Sequence, residues 1–169
     1  MSRAQVAFVL LAALTGAVYL AMTLVTLPHL RDAAGGLAPF DLRPGGYSAE
    51  QARTLLDALD APARQYYLSV QQRLDLVFPA LEAVTLIVAF RTLAKGWLAV
   101  VLSIVAALGA VFDYLENHAV AALLRTGTVT DDMIAFASRW TLLKSVAVTL
   151  SLTALALLIL RAVYLRMKR

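Results

Sequence analysis

QVAFVLLAALTGAVYLAMTLVTL, residues 5–27, is 23 residues without a charge. As an α-helix it reaches about 35 Å, enough to cross ~30 Å of hydrocarbon and longer than the apolar core of a secretory signal. It reads as an uncleaved first transmembrane span, stopped by Pro28. Further apolar stretches of spanning length follow at about 67–91, 97–124 and 139–162. The later three carry acids or a lysine, which lipid-facing helices tolerate only for a reason.

Composition agrees with this reading. With 61% hydrophobic and 15% charged residues, the 169-residue chain lies outside the range of soluble domains. The expected fold is all-α: a polytopic four-helix transmembrane bundle, 1–169 as a single membrane domain, with a short amphipathic helix in the long loop after the first span. The absence of cysteine excludes disulfides, thiolate catalysis, Fe–S clusters and Cys-based zinc sites. Two histidines, His29 and His118, leave little for a metal, and no cofactor is expected. The formal charge of +4 comes from basic residues at helix ends, with no basic patch interleaved with stacking aromatics. This argues for membrane orientation and against a nucleic-acid partner.

Arg3, the pair Arg91 and Lys95, and the group Arg161, Arg166, Lys168 and Arg169 fall on one side of a four-span chain. The positive-inside rule makes that side cytoplasmic, with both termini inside and the plasma (inner) membrane as location. The other side receives residues 28–66, where Arg31, Arg43, Arg53 and Arg64 meet Asp32, Asp41, Glu50, Asp57 and Asp60 without positive bias. It also receives the shorter segment 125–139. In the long segment, Ser48 with Gln51 three residues on forms a capping box. The short helix that should follow places Ala52, Leu55, Leu56 and Leu59 on one face, which suits a lid on the bundle mouth or a helix in the membrane interface. Asp60 before Ala61 and Pro62 reads as a second N-cap, from which the second helix starts.

Tyr67, Gln71, Asp75, Phe78, Pro79 and Glu82 recur at steps of three and four, one stripe of the second helix that should face the bundle. Pro79 cannot donate to the carbonyl of Asp75, so that oxygen should be free. In the third span Asp113, Glu116 and Asn117 share a face that Ala106, Gly109 and Ala110 continue, and these small residues invite close helix approach. In the fourth, Lys144 lies one turn beyond Arg139 and Trp140. Counting inward, Asp75, Asp113 and Lys144 reach one level in the outer third of the membrane, and Glu82 lies near the middle. Several isolated charges there would each cost ~2.5–3.5 kcal/mol, so Lys144 should neutralise Asp75 or Asp113. Asp75, Asp113 and Glu116 are the candidate catalytic acids. Tyr67, Gln71, Glu82, Asn117 and Lys144 are candidate ligand-binding groups, with Gln71 and Asn117 able to orient the acids. Arg73 and His118 read as interfacial residues, and Tyr66, Tyr67, Trp97 and Trp140 as belt aromatics.

Three segments, FDLRPGGY at 40–47, DLVFP at 75–79 and DYLEN at 113–117, resemble a group of uncharacterised small bacterial membrane proteins over most of the chain. That resemblance implies a four-helix membrane fold and brings no activity. In layout alone the chain is similar to the EXPERA-type sterol isomerases and sigma-2-like receptors, which also combine a long loop after the first helix with membrane-buried acids. This likeness implies a sterol- or lipid-sized ligand.

Three functions stay open. The first is an enzyme or binding protein for an amphipathic small molecule entering from the outer leaflet and meeting Asp75, Asp113 and Glu116 between the second, third and fourth spans. The second is a proton- or cation-coupled carrier continuing through Glu82. The third is an assembly subunit without a pocket. Membrane lipid is the expected surrounding partner, and the sequence fixes neither oligomeric state nor ligand.

Overall fold

A computed structural model describes residues 3–168, leaving Met1, Ser2 and the basic Arg169 outside. Among the described residues there is no strand. Five helices form the fold: α1 (Gln5–Ala33), the short α2 (Ala49–Ala58), α3 (Ala61–Leu93), α4 (Gly96–Arg125) and α5 (Asp131–Met167). All but α2 are long and apolar enough to cross a membrane, the architecture of a multi-pass membrane protein. α3 packs between α1 and α4, α4 packs on α5, and α3 also touches α5. The extended packing between neighbours does not include α1 with α5, so the bundle has a seam there.

Two apolar clusters mark the ends of the bundle. At the loop end, Leu30 of α1, Phe40, Leu55 and Leu56 of α2, Tyr67 of α3, Leu123 of α4 and Ile134 of α5 pack together. At the end holding the termini, Leu86 and Phe90 meet Ala99, Ala106 and Leu158. The buried polar groups Gln71, Asp75, Asp113, Glu116 and Thr141 lie between these clusters.

Pro28 does not stop the first helix. A π-helical turn at Met22–Thr26, with the Leu27 amide donating to the Met22 carbonyl, interrupts the regular ladder, and the segment Leu27–Ala33 then takes the proline in its first turn. Because the ladder is already reset there, the missing proline N–H costs little. The helix ends instead at Gly35 (φ 64°) and Gly36 (φ 91°), whose left-handed backbone lets the Gly36 amide reach the Arg31 carbonyl at 2.8 Å. The fourth helix also starts earlier than the expected residue 139, at Asp131, capped by Thr130, because Ile134 and Ala137 are buried in the loop-end cluster. It continues to Met167, and only residues 126–130 connect α4 to α5.

Both loop caps form: Ser48 and Gln51 complete the capping box on α2, and Asp60 accepts the Ala63 amide at the start of α3. Ala52, Leu55, Leu56 and Leu59 are buried, but against the loop ends of the long helices, and Arg53 reaches Asp131 of α5 at 2.6 Å. The extended segment before α2 docks on α5 at Gly46-Tyr47. The Tyr47 amide donates to Ser138 Oγ at 2.8 Å, and a Cβ on Gly46 (φ 76°) would stand 2.8 Å from the same oxygen.

Candidate functional site

The polar stripe of α3 begins at Tyr67, which is fully buried beneath the loop and is no belt residue. Its hydroxyl accepts from the Phe40 amide at 3.1 Å and donates to Asp41 Oδ2. One turn on, within a second π-helical turn at Tyr67–Gln71, Gln71 accepts from Thr26 of the α1 π turn and donates to both carboxylate oxygens of Asp75, at 3.1 and 3.2 Å. Two widened turns at one level are thus joined by a single side-chain bridge. The carbonyl that Pro79 leaves without a main-chain donor is taken by α4: Asn117 Nδ2 donates to the Asp75 carbonyl at 3.2 Å and to Asp113 Oδ1 at 3.0 Å.

Lys144 enters this layer from α5. It ion-pairs with Glu116 and lies 3.6 Å from Asp113, while Thr141 donates to the other Glu116 oxygen at 2.5 Å. The lysine therefore joins two acids of α4, and Asp75 of α3 is held by amides instead. Close approach of α4 to α5 makes this possible: a Cβ on Gly109 would sit 3.6 Å from Ala147 Cβ. At Gly109 the two helices leave no room between them.

The space beside Asp75 opens towards α1. A groove of about 660 Å³ runs between α1, α3 and α5 along the open seam, with Asp113 of α4 reaching its wall. Asp75, Asp113 and Lys144 face its loop end and Glu82 its middle, while Leu86, Val148, Leu152 and Leu155 form apolar walls beyond. Of the candidates named from sequence, Glu116, Tyr67, Gln71 and Asn117 do not line it. Glu116 is the buried counter-ion of Lys144, and the other three hold the acids or the loop from behind. Arg73 and His118 are exposed and line no part of the groove.

The roof also differs from expectation. Ala52, Leu55, Leu56 and Leu59 do not cover the groove; Asp41, Leu42 and Pro44, from the turn before α2, do. Asp41 is the site residue that sequence reading missed, although its motif was noticed. Its neighbour Tyr47 stacks on Phe40 with centroids 4.8 Å apart, and burial pushes the Tyr47 hydroxyl well above the ordinary tyrosine range, so it stays neutral. Thr15 of α1 and Thr85 of α3 also line the groove and hydrogen-bond to one another at 2.8 Å, beside the seam.

An apolar trough with Asp41, Asp75, Asp113 and Lys144 at one end and Glu82 alone farther in can hold a molecule whose polar groups lie towards one end. Its acids, close to one another and in unlike surroundings, can also exchange protons with such a molecule. No protein-family model, no curated protein and no solved structure matches the chain.

Proposed function

We propose that this multi-pass protein resides in a bacterial plasma membrane with both termini in the cytoplasm. There it binds an amphipathic, lipid-like small molecule with a basic or proton-exchanging head, which the acids can serve by acid–base chemistry. The observation that carries the reading is the polarity gradient of the groove. Asp75 and Asp113 stand at the loop end and Leu152 and Leu155 at the other, in a volume of about 660 Å³, within the ~300–1,000 Å³ of small-molecule sites. The seam between α1 and α5 lets such a molecule enter from the bilayer with its head at the level where a lipid of the same leaflet carries its own.

A coupled carrier is less well supported. Past Glu82 the groove ends on Leu86 and Leu155, beside the apolar cluster of Phe90, Ala99 and Leu158, and among the described residues no charged side chain lines it beyond Glu82.

The test is the lipid extract of the purified protein. Wild type should retain a molecule, seen by mass spectrometry, that Leu152→Trp, which fills the trough, and Asp75→Asn each lose while keeping their thermal unfolding near that of wild type. Extracts identical in all three proteins would favour the assembly subunit.

A further inference from the structure

Resting on the groove reading above, we propose that Asp41 selects the ligand's head and that Tyr67 is the residue that positions it. Among the described residues Asp41 is the only carboxylate of the groove supplied by a loop. It sits in a single 3-10 turn, Phe40–Leu42, between the buried Phe40 and the groove-lining Leu42 and Pro44. A loop carboxylate at the edge of a bundle is well solvated if it turns to water, so holding it over a groove requires a device. Tyr67 is that device. Its hydroxyl, fully buried, uses both its capacities on the strap, accepting from the Phe40 amide and donating to Asp41 Oδ2. Replacing that hydroxyl by hydrogen would leave a buried amide unpaired and the carboxylate free to swing away.

The remaining acids at this level are already committed. Both oxygens of Asp75 accept from Gln71, and Asp113 Oδ1 accepts from Asn117 and faces Lys144. The hydroxyls of Thr23 and Ser145, which also line the groove, donate to carbonyls of their own helices, and Lys144 is taken by its acids. Asp41 keeps one oxygen without a partner among the described residues, and so does Asp113, but Asp113 lies beside Lys144, which already supplies its counter-charge, whereas Asp41 has no ion pair. The loop end of the groove therefore offers an acceptor and no free cation, so it suits a head that donates hydrogen bonds, an ammonium above all. An anionic head would meet carboxylates on two sides.

The test uses two fluorescent probes with the same dansyl-labelled twelve-carbon chain, one ending in an ammonium and one in a hydroxyl, titrated onto the full chain in maltoside micelles. Wild type should bind the ammonium probe more tightly. Asp41→Asn should weaken ammonium binding about tenfold and change hydroxyl binding by less than about twofold, the size of a lost charge-assisted hydrogen bond. Tyr67→Phe should lower the same preference by about threefold, and Asp41→Glu should restore part of it. The preference is a ratio, so a purely structural loss, which weakens both probes alike, would overturn the assignment. An Asp41→Asn protein with the wild-type ratio would overturn it too. Wild type binding neither probe would instead overturn the groove reading itself.

Discussion

Asn117 of α4 donates to the main-chain carbonyl of Asp75 on α3 at 3.2 Å, the acceptor that Pro79 deprives of its donor in the helix. A proline and an asparagine on different helices are thereby complementary. Asn117→Ala should destabilise the protein by about 1–3 kcal/mol, the cost of leaving buried acceptors unsatisfied. In a Pro79→Ala background, where residue 79 regains an N–H, the same change should cost less. Thermal unfolding of the four proteins in detergent checks this, and additive losses would show that the two positions are independent.

Lys144 stands between Glu116, which is almost wholly buried, and Asp113. Lys144→Met should lower stability by about 3–5 kcal/mol, because it strands a buried carboxylate. Glu116→Gln added to it should recover much of the loss. Asp75→Asn should simply add, since Asp75 is held by Gln71 and has no ion pair with the lysine. Recovery by Asp75→Asn in place of Glu116→Gln would contradict the pairing.

Leu55 is fully buried on α2 yet lines no part of the groove. Leu55→Ala should cost about 2–5 kcal/mol in stability while leaving the retained molecule and the probe affinities of the folded fraction unchanged. A loss of binding from this variant in folded protein would return α2 to the role of lid.

Reporter fusions at Lys95 and after Lys168 should read as cytoplasmic, and fusions at Gly46 and Thr128 as the opposite side. The expectation rests on Arg91, Lys95, Arg161, Arg166 and Lys168, which flank the spans on the side of the termini. Gly46 and Lys95 in the same compartment would exclude four spans.

What could be read in the sequence was local or periodic. Apolar length marked four spans, the Ser48–Gln51 and Asp60 caps need only residues three apart, and the stripe from Tyr67 to Glu82 follows from the helical repeat. Pro79's free carbonyl was equally legible, because it depends on the main chain alone. Helix 1 was misread because proline ends a helix only where the regular ladder would have used its N–H, and the π turn before Pro28 removes that requirement. Asp41 was counted among loop charges because nothing within a few residues of it shows that Tyr67, twenty-six positions away, fixes its carboxylate. Lys144 pairs with Asp113, one of the two expected acids, but the addition of Glu116 to that pair and the α1 wall of the groove both depend on how closely the helices approach one another. That distance is a property of the packed bundle.

Lys144 lies five residues inside Arg139, about 7.5 Å along the helix axis and so roughly a quarter of ~30 Å of hydrocarbon. The polar layer thus stands within the electric field of an energised membrane. Moving a unit charge through the whole field amounts to ~2.3 kcal/mol per 100 mV, so a unit charge at the depth of Lys144 feels about 0.6 kcal/mol. A voltage of that size therefore shifts any equilibrium that adds or removes one charge at this layer by roughly threefold.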